Sequence, residues 1–137
     1  METIKFNVYD LVISVPRWDS IHELPSMDSR EAEAFFTDPL FKGQVLQETQ
    51  GFTDYRFILE DYSLICFFKN APWPKFWEKF ITPGSDKAKE FVKCMTEKNA
   101  IGMVKILSEV VDEPWTLDLW KLQKIKAYEA VVEIPEK

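Results

Sequence analysis

The sequence predicts one α+β domain over residues 1–137, with about four mainly antiparallel strands and helices packed on one face of the sheet. Two observations predict this fold class. Runs rich in β-branched and aromatic residues lie near both ends of the chain and in its middle, and their alternation is typical of strands. The segment from Pro74 to Val111 instead repeats its apolar residues at helical spacing.

Size and composition fit one globular domain. With 137 residues, of which 46% are hydrophobic and 29% charged, the chain can bury a core without disulfide or metal staples. No internal repeat, low-complexity tract or linker-like stretch divides the sequence. We therefore expect a single domain.

The first strand is predicted over "TIKFNVYDLVISVP", residues 3–16. Its first half alternates Ile4, Phe6 and Val8 against Lys5 and Asn7. Residues 11–15 are apolar on nearly both faces. We expect this strand to begin near an edge of the sheet and to end in the interior.

A loop and a helix are predicted next. Residues 17–29 hold many turn formers, and a loop of this length is a candidate for function. Asp28 or Ser29 can cap a helix over residues 30–36, "REAEAFF". Pro39 stops that helix, because the residue before a proline disfavours the helical conformation.

The middle of the chain is harder to assign. A short apolar run at Val45 and Leu46 fits no single element. Residues 55–69, "YRFILEDYSLICFFK", contain two β-rich runs on either side of "EDYS". This pattern predicts a β-hairpin that turns at residues 60–63.

Three helices are predicted after the hairpin. Pro74 is a good first residue for a short helix, "PKFWEKFI", that buries an aromatic stripe against the sheet. The stripe comprises Trp73, Phe76, Trp77 and Phe80, and Trp73 is the member expected to be partly exposed. Ser85 caps the next helix, which Asn99 ends, and its apolar face is predicted to consist of Ala88, Phe91, Val92 and Met95. Residues 100–111 predict a central helix, because they are apolar over most of its circumference.

The last part of the chain returns to strand patterns. Residues 112–126 mix the signals of a helix start and a strand, and we interpret them as a short helical turn that leads into a strand. Residues 126–135, "KAYEAVVEIP", alternate like a strand with one solvated face. One side of this strand carries Tyr128, Ala130, Val132 and Ile134. The other side carries Glu129, Val131 and Glu133.

The sequence carries few signs of catalytic or metal chemistry. His22 is the only histidine, and the motifs GxSxG, HExxH, GxGxxG and GxxxxGK[ST] are absent. A zinc site needs about four nitrogen or sulfur ligands, more than His22, Cys66 and Cys94 supply. The two cysteines are expected to be buried free thiols. We therefore predict no catalytic residue, no metal and no cofactor.

Charge limits the classes of partner. Seventeen basic against twenty-three acidic residues give a net charge of -6, which disfavours nucleic acid. Three acid pairs are typical of solvated turns and helix starts rather than of a catalytic carboxylate pair: Glu60 with Asp61, Glu31 with Glu33, and Asp112 with Glu113. No window is long and apolar enough for a membrane span, and the N-terminus lacks signal-peptide features, so we expect a cytoplasmic protein without membrane binding.

An acidic, aromatic-rich domain without catalytic motifs resembles immunity proteins of bacterial toxin systems and small phage-encoded inhibitors. The resemblance rests on composition and on no specific motif. It implies a non-catalytic inhibitor that occludes the active or binding site of a partner protein with a basic surface. Candidate contact residues are Trp18, Asp28, Glu31, Asp54, Glu60, Asp61 and Trp73.

Two alternatives remain open at this point. One is a small-molecule-binding or enzymatic α+β domain with an aromatic-lined pocket between sheet and helices. The other is a subunit of a larger, phage-type assembly. The sequence does not give the partner, the oligomeric state or the strand order.

Overall fold

A long N-terminal strand organises the sheet. The computed structural model describes residues 2–16, 34–49, 51–69, 76–112 and 120–135. The strands are β1 (Glu2–Pro16), β2 (Gln44–Thr49), β3 (Phe52–Glu60) and β4 (Lys121–Ile134). They form one antiparallel sheet in the order β2-β3-β1-β4, so the strands nearest the two ends of the chain lie side by side. The predicted α+β fold with a mainly antiparallel four-stranded sheet is confirmed.

The helices follow β3 and pack on one face of the sheet. They are α1 (Asp61–Lys69), a 3-10 helix (Phe76–Lys79), α2 (Asp86–Thr96) and α3 (Ala100–Val110). Residues 34–36 are also helical. The start of that helix, including the predicted caps at 28 and 29, and the predicted loop 17–29 with His22 lie outside the described residues.

Strand alternation divides β1 into two sides. Tyr9, Leu11 and Ile13 belong to the hydrophobic core, together with residues of β3 and β4 that lie opposite them, such as Phe57 and Ile125. Paired residues of antiparallel strands point to the same side of a sheet. The side that carries these residues faces the helices and is called the core side below, and the opposite side is called the open side.

Aromatic rings fill the space between sheet and helices. Phe57 of β3 contacts Phe36 and Phe67 with centroid distances of 5.2 Å and 4.9 Å. Phe68 of α1 contacts Phe91 of α2 at 5.5 Å. The tilted and edge-to-face angles of these pairs are those that aromatic quadrupoles favour.

The predicted hairpin at residues 60–63 is wrong. β3 ends at Glu60, and the chain continues directly as α1, in which five consecutive residues from Leu64 to Phe68 are buried. An uninterrupted apolar run fits a fully buried helix as well as a strand, because its periodicity distinguishes neither. Asp61 in the first turn and Lys69 in the last match the helix dipole, and this was the signal for a helix.

The helix signals at 85 and 99 are confirmed in part. The Ser85 side chain accepts a hydrogen bond from the Ala88 amide, as expected for the N-cap of α2. α2 ends at Thr96, three residues before the predicted Asn99, and the Asn99 side chain instead caps α3 by accepting from the Gly102 amide. Val92 is 38% exposed, so its predicted place on the buried face is wrong, and Cys94 is buried instead.

The aromatic stripe is buried where it is described. Trp77 and Phe80 are each only 8% exposed, which confirms them as core residues. The segment forms a 3-10 helix rather than the predicted longer helix over its described residues. Trp73, the side chain of Phe76 and the predicted helix start at Pro74 lie outside the described residues.

Candidate functional site

Strands β1 and β4 extend beyond the other two strands of the sheet. β3 pairs with β1 only from Val8 onward, whereas β4 pairs with β1 from Glu2, opposite Ile134, along almost the whole strand. Residues 2–7 of β1 and 129–134 of β4 therefore form a two-stranded extension of the sheet. This extension, together with the pair Val8 and Tyr128 at its base, where β3 begins to pair, is called the ribbon below.

The two sides of the ribbon differ in chemistry. The open side is apolar except for Glu2, and its apolar residues are Ile4, Phe6, Val8, Tyr128, Ala130, Val132 and Ile134. The side that continues the core side is polar except for Val131, and its polar residues are Thr3, Lys5, Asn7, Glu129 and Glu133. The ribbon is thus amphipathic, and the seven residues of the first list are called its apolar side.

Four of the seven residues on the apolar side of the ribbon are exposed, while Phe6, Val8 and Ala130 are half-buried. Ile4, Tyr128 and Val132 keep 49%, 46% and 47% of their surface in contact with solvent. They do not belong to the core cluster. On the other side, Val131 is 54% exposed, so the expectation that β4 has one buried and one solvated face is wrong for this half of the strand. The physical reason is that the ribbon extends beyond the sheet area against which the helices pack.

A buried carboxylate stands where the ribbon joins the rest of the open side. Asp10 is only 5% exposed, and both of its oxygens accept hydrogen bonds from Arg56 of β3, at 3.0 Å from Nε and 2.9 Å from Nη2. The ammonium group of Lys124 on β4 lies 3.0 Å from the same carboxylate. The hydrogen bonds from Arg56, and secondly those from Lys124, hold the pKa of Asp10 below its usual value.

A second polar group lies farther along the same side. The Ser14 hydroxyl donates to Asp54 of β3 at 2.6 Å and accepts from the side-chain amide of Gln123 on β4. Gln123 is the extra residue of a β-bulge, since the register between β1 and β4 shifts after Val12. Both groups connect β3, β1 and β4 across the open side, so they fix the register of the central three strands.

The open side of β4 is basic next to the ribbon. Lys121, Lys124 and Lys126 lie opposite Ser14, Val12 and Asp10, and therefore share the open side with them. Arg56 adds a fourth cation on the open side. The same side carries three acidic residues, Asp10, Asp54 and Glu60. In a chain of net charge -6, this region thus carries slightly more positive than negative side chains.

Three of the candidate contact residues lie within the described ranges, and these three do not form one patch. Asp54 and Glu60 lie on the open side, at opposite ends of β3. Asp61 begins α1 and accepts a hydrogen bond from the hydroxyl of Tyr9, a core-side residue. Burial, and then this bond to Asp61, raise the pKa of the Tyr9 phenol. The other predicted contact residues, Trp18, Asp28, Glu31 and Trp73, lie outside the described residues.

The sequence pattern contains a signal for this surface. Residues 4–8 and residues 128–134 each alternate between apolar and polar side chains. Because the two segments pair in register, their apolar residues combine into one surface that neither segment indicates alone. The cluster of Asp10, Arg56 and Lys124 gave no local signal, since its members are 46 and 114 residues apart along the chain.

Comparisons of the chain with known proteins give no match. No protein-family model matches the chain. No curated protein and no solved structure matches it either. Within the described ranges, no helix is long and apolar enough to cross a membrane, and no group of three or more His, Cys, Asp or Glu side chains could hold a metal ion.

Proposed function

We propose that this chain is a non-catalytic protein-binding domain and that its contact surface is the apolar side of the ribbon with the adjoining open side of the sheet. The observation that carries the proposal is the concentration of exposed apolar side chains on one side of an amphipathic ribbon, whose other side is polar except for Val131. Contiguous exposed apolar surface that polar residues border is typical of a protein-interaction site.

The energetics of the ribbon support a covering partner. A two-stranded ribbon without a third strand or a helix against it is marginally stable in water. Covering Ile4, Tyr128 and Val132 would remove apolar surface from solvent and also hold the two strands together. Tyr128 and the nearby Arg56 are residue types enriched at the energetic centres of interfaces.

The finer form of the proposal is an inhibitor or immunity-type protein that occludes the active or binding site of another protein. A ribbon that projects from the sheet is suited to enter a cleft, and the composition of the chain supports this class. The expected basic surface of the partner stays a prediction. Asp54 and Glu60 would meet such a surface, whereas the lysines of β4 would favour acidic groups.

Two neighbouring valines allow a matched test. Val132 lies on the apolar side of the ribbon and Val131 on the polar side, and both are about half exposed. Tagged wild-type, Val132→Asp and Val131→Asp proteins would be used to capture partners from the native host, with quantitative mass spectrometry of the bound proteins.

The proposal expects a stoichiometric protein that the wild type and Val131→Asp retain and that Val132→Asp loses, because an aspartate on the apolar side would be buried without a partner. Circular dichroism would verify that both variants are folded. Equal capture by Val132→Asp would place the contact elsewhere and overturn the proposed surface. Capture of many copies of one scaffold protein would favour the assembly subunit instead.

A further inference from the structure

We draw no further inference here: the strongest candidate, the apolar side of the ribbon formed by β1 and β4, is already the proposed contact surface, and nothing in the structure shows what covers it.

Discussion

At the scale of single residues, Asp10 is the most constrained polar group that the structure describes. Its carboxylate is nearly inaccessible, while the side chains of Arg56 and Lys124 remain 40% and 42% exposed. The cations therefore keep part of their hydration, and the desolvation cost falls mainly on the acid. Each of the three residues belongs to a different strand, so a slip in register would leave a buried charge without partners.

Asp10→Asn should lower the free energy of unfolding by about 2 kcal/mol at neutral pH, because hydrogen bonds to a charged group are replaced by weaker ones. The pKa of Asp10 in the folded protein is lowered from 3.8, so its charge stabilises the fold above pH 3.8, and this contribution is lost as the pH falls through the lowered value. Denaturant unfolding at several pH values would measure the difference between the two proteins. It should be constant from neutral pH to about 5 and should shrink in stronger acid.

An exposed ion pair provides the control for Asp10. Lys5 and Glu129 are 3.8 Å apart on the polar side of the ribbon, with 67% and 61% of their side chains exposed. Lys5→Gln should leave stability nearly unchanged, because salt screens such pairs and their side chains lose entropy on pairing. If Asp10→Asn lowered the free energy of unfolding as little as Lys5→Gln, the buried carboxylate would contribute no more to stability than an exposed ion pair.

The two thiols should be protected in the native state. Cys66 and Cys94 are free and buried, and burial raises the pKa of the Cys94 thiol. A thiol reagent should therefore react slowly with the folded protein and rapidly after denaturation, which mass spectrometry of the labelled protein would follow. Rapid native labelling of either cysteine would contradict its burial.

At the scale of elements, the sequence predicts β1, β4, α2 and α3, but not β2 or the helix after β3. Alternation identified β1 and β4, and the side chains of Ser85 and Asn99 marked two helix ends. The run from Leu64 to Phe68 was taken for a strand, because a fully buried element shows no amphipathic period. Only the tertiary structure decides such a segment, here through the packing of Phe67 and Phe68 between β3 and α2.

The candidate site was less predictable than the fold for a related reason. Alternation tells which residues of a strand share a side, but not what covers that side. Val131 and Ile125 lie on the core side of the same strand, and only the position of the helices makes one exposed and the other buried.

The short aromatic segment after α1 should contribute to stability rather than to binding. Trp77→Ala and Phe80→Ala should each destabilise the protein by about 3 kcal/mol, because both rings are buried, and Phe80 packs against Phe68 at 6.3 Å. Thermal unfolding would measure the change. Tyr62→Ala, at a ring that is 72% exposed, should cost far less and serves as a control.

A different outcome would assign this segment to function. If Trp77→Ala and Phe80→Ala left the melting temperature unchanged and abolished binding to a protein partner or to vesicles, the aromatic residues would form a functional surface. Their burial in the core cluster argues against that result.

At the scale of the whole molecule, the sheet joins the two ends of the described chain. Glu2 of β1 pairs with Ile134 of β4, and the pairing of these two strands continues along β1 as far as Ser14. Contacts between residues so far apart in sequence close a large loop, so they contribute to the fold only once the intervening chain is ordered. The ribbon is the outermost part of this pairing, and it lacks both the third strand and the helices that support the rest.

Local opening should therefore be easiest in the ribbon. Separating residues 2–7 from 129–134 exposes little of the core, whereas separating residues 9–15 from β3 exposes Leu11 and Phe57. Hydrogen exchange followed by mass spectrometry should find much faster exchange in the ribbon peptides than in peptides from the central part of β1, because exchange through local opening requires less free energy than global unfolding.

The exchange experiment is best made at low protein concentration, where the ribbon is observed in the free protein. Equal protection of ribbon and centre would mean that the ribbon unfolds only with the core. The marginal stability that makes a covering protein necessary would then be absent, and the case for the ribbon as a contact surface would rest on its apolar exposure alone.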